Sequence, residues 1–190
     1  MADHAERRRL IVDVAVRLLK KLGPESVTIR RVADCLSVGA MTLYTYVDGQ
    51  AGLRLAMTQY GFDLLSDGCR AHSTLDTPQG WRGSAKHYIQ FAIENPHLYK
   101  LMFATEVDSN EAEAQILHRG FEGLIDRVRQ QMEVKGMTQA QIDAKALITA
   151  GRYWIALHGL ASLAIAGRLG VLKADMDTLL DSLLERVAPT

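Results

Sequence analysis

Apolar residues recur at intervals of three and four along nearly the whole chain, and the pattern resolves into successive helices. Leu10, Ile11, Val14 and Leu18, widened by Ala15, Leu19 and Leu22, predict a helix over Glu6–Leu22 that Gly23 and Pro24 stop. Thr28 then caps a short helix whose apolar face is Ile29, Val32, Ala33 and Leu36. Ser37, Val38 and Gly39 make a turn, and a second short helix, about Ala40 to Tyr46, turns Leu43 inward and leaves Ala40, Met41, Thr42, Thr45 and Tyr46 outside. A helix this short is marginal alone, so packing must hold it. Two short helices around a three-residue turn read as a helix-turn-helix, and the width of the second fits the major groove of B-form DNA.

The remaining pattern is also helical. Val47 to Gln50 bend the chain, with Asp48 as an N-cap, and a helix follows from about Gln50 to Cys69 or Arg70. Its apolar set, Leu53, Met57, Tyr60, Phe62, Leu64 and Leu65, covers more than one face, which marks it as a connector. His72 to Gly80 is a loop, and Trp81 to Glu94 a helix that Asn95-Pro96 ends. His97 to Ala104 is a short apolar helix, Glu106 to Ala112 an acidic turn, and Glu111 to Lys135 a long helix striped by Ile116, Leu117, Phe121, Leu124, Ile125, Val128 and Met132. Thr138 and Gln141 form a capping box for a helix reaching Gly167. Its second half, YWIALHGLASLAIAG, carries no charge, which predicts burial on nearly all sides. Asp175 to Val187 supplies an amphipathic partner. No alternating strand pattern, internal repeat or sustained heptad is present. The fold expected is all-α: a three-helix helix-turn-helix bundle over residues 1–50, then a larger helical regulatory and dimerisation bundle over 51–190, about nine helices together.

Composition narrows the function classes. The 190 residues are 48% hydrophobic, enough for a large core, and 22 Lys plus Arg balance 22 Asp plus Glu. Within residues 1–54 nine basic residues face six acidic ones, a small positive excess on the segment that would meet DNA. Cys35 and Cys69 are too few for a disulfide scaffold and read as reduced, buried thiols. No signal peptide or membrane span is expected, which points to the cytoplasm. His87, His97, His118 and His158 show no metal-ligand spacing, and no phosphate loop or nucleophile motif is present, so neither enzyme activity, a metal nor a cofactor is expected.

The segment Thr28–Leu53, with T-I-R-x-V-A before the turn and T-L-Y-x-Y after it, resembles the DNA-binding helix-turn-helix of the TetR family of transcriptional repressors. Asn95 to Phe103, with Trp154 and His158-Gly159, is similar to the C-terminal domain of a subgroup named for its Trp-His-Gly signature. The resemblance implies a transcriptional regulator that binds a palindromic double-stranded operator as a homodimer. It implies DNA contacts from Ala40, Met41 and Thr45 toward base edges, and from Thr42, Tyr44 and Tyr46 toward phosphate. Gln50 stands where the family often carries a phosphate-binding lysine and, near a helix start, is still a candidate donor to phosphate, while Thr45 stands where a basic residue is common. Either DNA binding is weaker than in relatives, or Arg30, with Arg31 and Arg7 to Arg9, carries more of the phosphate binding.

The resemblance further implies a four-helix interface made by the last two helices of each subunit, for which Leu157, Leu160, Ala161, Ala164, Leu179, Leu180, Leu183 and Leu184 are candidates. A small-molecule effector is expected in the C-terminal bundle. Candidate lining residues are Trp81, His87, Tyr88, Phe91, Tyr99, Met102, Phe103, Trp154 and His158, whose character suits a mostly apolar or planar molecule. Each of these side chains serves equally well as packing, and Trp154 and His158 as a dimer-side pair. The alternative reading is a helical ligand-binding or interaction protein of the same fold without sequence-specific DNA binding.

Overall fold

Nine α-helices and two short 3-10 turns account for the regular structure among the residues that the computed structural model describes, 2–72, 78–103, 111–132 and 136–187. The helices are α1 (Ala2–Leu22), α2 (Ile29–Cys35), α3 (Ala40–Leu43), α4 (Gly49–Ala71), α5 (Pro78–Glu94), α6 (Pro96–Met102), α7 (Glu111–Gln131), α8 (Gln139–Ile165) and α9 (Met176–Val187). Most of the loop expected at His72–Gly80 and of the turn expected at Glu106–Ala112 lies outside the described residues, as does the end of the helix expected to reach Lys135. The chain divides into two compact units, Met1–Asp63 with Asn95–Ile116, and Leu64–Glu94 with Leu117–Thr190.

In the first unit α1 packs on α2 and α6, and α2 on α3. Leu19, Val32, Leu43, Leu53 and Leu98 are fully buried. The end of α1 is closed by Gly23, whose φ of 82° only glycine adopts readily, and by the Ser26 hydroxyl, which donates to the Gly23 carbonyl at 2.6 Å. The Thr28 hydroxyl accepts from the Arg31 amide at 3.2 Å, the predicted cap of α2.

The turn between α2 and α3 departs from ideal chemistry at two places. Ser37 holds φ at 55°, a left-handed conformation that costs an L-residue roughly 1 kcal/mol. Gly39 occupies the N-cap of α3 in an extended conformation and offers no side-chain acceptor. A Cβ there meets only Thr42 Oγ1, at 3.9 Å. Ser37→Gly is expected to stabilise the protein by about 0.5–1 kcal/mol and Gly39→Ser by a few tenths. Denaturant titration of the two variants and their double mutant reads both effects.

The second unit is built on α5, which packs against α8 and α9, while α8 also packs on α9. Ala85 and Ala92 of α5 and Ala146, Ala150 and Ala161 of α8 have no exposed surface, and their small side chains let the helices approach closely. The Thr138–Gln141 capping box opens α8 as predicted. On the outside, Arg82 of α5 bonds Asp181 at 2.5 Å and Asp177 at 3.2 Å of α9, and Lys86 adds Asp177 at 3.1 Å.

Three expectations are corrected. The second helix of the helix-turn-helix ends at Leu43 instead of Tyr46; the chain continues in tight turns, with the Thr45 amide donating to the Thr42 carbonyl and the Tyr46 and Val47 amides to that of Leu43. Cys35 is exposed, because α2 turns its opposite face to the core through Ile29, Val32 and Ala33. The uncharged half of α8 is buried on one side only: Tyr153, Leu157, Leu160 and Ala161 face inward, whereas Ile155 is 68% exposed and Leu163 is also open.

Candidate nucleic-acid interface and ligand region

The candidate recognition surface follows from how α3 is held. Leu43 is its buried anchor and Val47 the next, so the intervening side chains turn outward. Met41 is 78% exposed and so lies outside the helix–helix interface; Tyr44 is 54% exposed, and Thr42 and Thr45 are open as well. Ala40 and Tyr46 are half-buried, and Arg30 and Arg31 are exposed on α2. The Thr45 hydroxyl donates to the Thr42 carbonyl at 2.7 Å, which turns its methyl group away from that bond and leaves it available for apolar contact.

Gln50 has an intramolecular task that its place in the sequence does not announce. Its side-chain amide donates to the Val27 carbonyl at 2.6 Å, and its oxygen accepts from the Ile29 amide at 3.2 Å. Both ends of the amide thus secure the start of α2, satisfying one of the N–H groups that a helix N-terminus leaves open. A lysine, with donors only, could not make the second bond.

The candidate ligand residues fall into both units. In the first, Tyr99 and Met102 are buried, and Phe103 packs on Tyr99 at 4.8 Å and edge-on against Phe62 at 5.3 Å between ring centroids. Met102 lies directly against Gly61, where a Cβ would come within 2.6 Å of its sulfur.

In the second unit, Trp81 is buried edge-on against Tyr153 at 5.0 Å, with the Arg127 guanidinium 4.6 Å from its ring centroid and the Gln131 amide oxygen accepting from its indole N–H. Tyr153 donates to the Trp81 carbonyl at 3.1 Å, and burial raises its phenol pKa strongly. The Cys69 thiol donates to the Ser84 carbonyl at 3.6 Å, and burial pushes its pKa up to about 11, which makes it unreactive. Sequence reasoning missed this group; the alignment of Cys69, Arg127 and Tyr153 from three helices has no signal in linear spacing. Trp154 lies between Phe121, at 5.5 Å, and His158, at 5.8 Å, while Tyr88 and Phe91 are buried. The Tyr88 hydroxyl stands 3.5 Å from His158 Nδ1. Among the described residues no group of three or more His, Cys, Asp or Glu could hold a metal ion.

His87 sits where Gly68 of α4 comes closest to α5. A Cβ on residue 68 would stand 1.9 Å from His87 Nε2, so only glycine allows this approach. The ring stacks on His72 at 4.7 Å, and Nε2 has no hydrogen-bond partner among the described residues. Burial, then the neighbouring His72, lowers the pKa of His87, and burial lowers that of His158. Because both are lowered on folding, the unfolded chain binds protons more readily. Their contribution to stability is complete above the ordinary histidine value and is lost as pH falls through it toward the folded-state values. Thermal melts are expected to show a larger loss between pH 7.5 and 5.5 for the wild type than for His87→Gln.

The geometry can be set beside known proteins. The family model described as "Tetracyclin repressor-like, C-terminal domain" matches residues 81–187, more than half of the chain. No curated protein matches the sequence. Among solved structures, a transcriptional regulator from Rhodococcus sp. Rha1 is similar over 95% of each chain, at a TM-score of 0.70 and 13% identity. The fatty acid degradation regulator FadR from Bacillus halodurans is similar over 95% of this chain and 94% of its own, at 0.68 and 14% identity. A TetR family transcription regulator from Marinobacter aquaeolei VT8 is similar over the full length of both, at 0.64 and 16% identity. At these identities the structures attest the shared all-helical fold. By the match over residues 81–187, the chain belongs to the tetracyclin repressor-like, or TetR, family of regulators.

Proposed function

We propose that the protein is a DNA-binding transcriptional regulator, a repressor that reads a palindromic operator as a homodimer and is released by a small, mostly apolar or planar effector. The observation that carries this reading is the outward face of α3 and the following turn. Met41, Thr42, Tyr44 and Thr45 stand open on a segment whose only buried anchors are Leu43 and Val47, with Arg30 and Arg31 exposed beside it. An apolar, hydroxyl-bearing surface flanked by guanidinium groups suits thymine methyls and phosphate oxygens. Ala40, Met41 and Thr45 read bases; Arg30, Thr42, Tyr44 and Tyr46 bind phosphate; Gln50 acts chiefly by holding α2 in place.

The dimer is assigned to the open face of α8, Leu147, Ile148, Ile155 and Leu163, continued by the half-buried Ala164, Leu179, Leu183 and Leu184. Leu157, Leu160, Ala161 and Leu180 are closed within the chain's own core and support that face from behind. Pairing two recognition segments about one DNA turn apart, ~34–36 Å, supplies the affinity that one short helix lacks. Effector contact is assigned to the aromatic group of the second unit around Trp81 and Trp154, with the Tyr99 group of the first unit as a separate candidate; the packing of Trp154 on His158 is in keeping with the Trp-His-Gly subgroup. Because α4 belongs in part to each unit, effector binding is read out as a change in the spacing of the recognition segments. The protein works without catalysis, in the cytoplasm; no described helix is long and apolar enough to cross a membrane.

Selection of bound duplexes from a random pool tests the reading. Enrichment of a palindrome with half-sites one turn apart is the expected result. Recovery of no preferred sequence favours a ligand-binding helical protein of the same fold.

A further inference from the structure

The first turn of α1 reaches the end of the recognition segment. His4 Nε2 lies 3.0 Å from the Thr45 carbonyl oxygen, and its ring packs on Tyr46 at 4.8 Å between centroids. A carbonyl only accepts, so Nε2 carries the hydrogen and donates, which leaves Nδ1 as the site of any further proton. Arg7, one turn on, is paired with Asp3 at 2.9 Å. Tyr46 is therefore held from α1 by the His4 ring. Asp3 lies on the same turn of α1, where Arg7 offsets its charge.

Resting on the DNA-binding reading, we infer that His4 is a positioning residue of the DNA interface, fixing the end of the recognition segment and strengthening duplex binding when it is protonated. Adding the proton at Nδ1 leaves the bond to Thr45 in place and makes it charge-assisted. The resulting imidazolium lies within cation–π distance of the Tyr46 ring, so protonation tightens the contact instead of breaking it. It also adds a positive charge beside Thr45 and Tyr46, the residues assigned to base and phosphate contact.

The probe is the duplex recovered from the random pool, with affinity measured from pH 8 to 5.5 at several salt concentrations for the wild type, His4→Gln and His4→Ala. The wild type is expected to gain about five- to tenfold in affinity relative to His4→Gln as pH falls, the size of one or two charge-assisted contacts. Its log–log salt slope should steepen by about one unit per bound subunit, which a purely structural role would not produce. His4→Ala should bind more weakly at every pH. Equal pH and salt dependence in the wild type and His4→Gln, or wild-type binding by His4→Ala, overturns the inference. If the wild type selects no duplex, the DNA reading itself fails. NMR of the free protein then decides the contact: a shared titration midpoint for His4 and the Thr45–Tyr46 resonances supports it, and independent behaviour overturns it.

Discussion

Leu43→Ala is expected to cost about 2–5 kcal/mol and to abolish duplex binding regardless of sequence. Leu43 is 1% exposed and is the sole buried side chain of the four-residue α3. So short a helix has no stability of its own, since nucleating one turn is already unfavourable. Removing its anchor both opens a cavity and releases the segment that presents Met41, Thr42, Tyr44 and Thr45. Denaturant unfolding measures the first effect. Binding measured at low temperature, where the variant stays folded, measures the second. Met41→Ala is the contrast: on an exposed position it should leave stability nearly unchanged and alter base preference. A Leu43→Ala protein that still binds the selected duplex at wild-type affinity would rule out α3 as the reading element.

Leu180→Ala is expected to cost a comparable 2–5 kcal/mol, and the loss should be the same at low and high protein concentration. Leu180 has no exposed surface and seats α9 in the second unit, where the surface pairs from Arg82 and Lys86 to Asp177 and Asp181 add little. Charge at the open face should act differently. Ile155→Asp places a carboxylate on a side chain that is 68% exposed in the single chain, so folding of the protomer is spared while the proposed dimer is lost. Sedimentation of the two variants separates the roles: a dimeric but destabilised Leu180→Ala and a monomeric, folded Ile155→Asp. A monomeric Leu180→Ala with unchanged protomer stability would return Leu180 to the interface.

Helix after helix was legible because burial on one side imposes a period of 3.6 that survives in the linear order. Thr28 and the Thr138–Gln141 box were legible for a different reason, since capping needs particular side chains at fixed offsets. Cys35 and the uncharged half of α8 were misread because residue character specifies a preference for burial and not the neighbour that provides it. A cysteine is small enough to sit on either side of α2. Ile155 faces outward with no covering neighbour among the described residues. The end of α3 was placed three residues too late because apolar spacing continues through the tight turns that carry Leu43 to Val47.

The sequence by itself determined an all-helical chain, its caps and breaks, and the outward position of Met41, Thr42 and Thr45, since all of these rest on contacts within a few residues. Tertiary structure alone decided the rest. It turned Gln50 back onto Val27 and Ile29, brought His4 to Thr45 across 41 residues, and set His87 against Gly68. It also divided the α8 and α9 leucines between core and open face. These outcomes depend on which helix faces which, and packing chooses among many pairings that the same periodic pattern would allow.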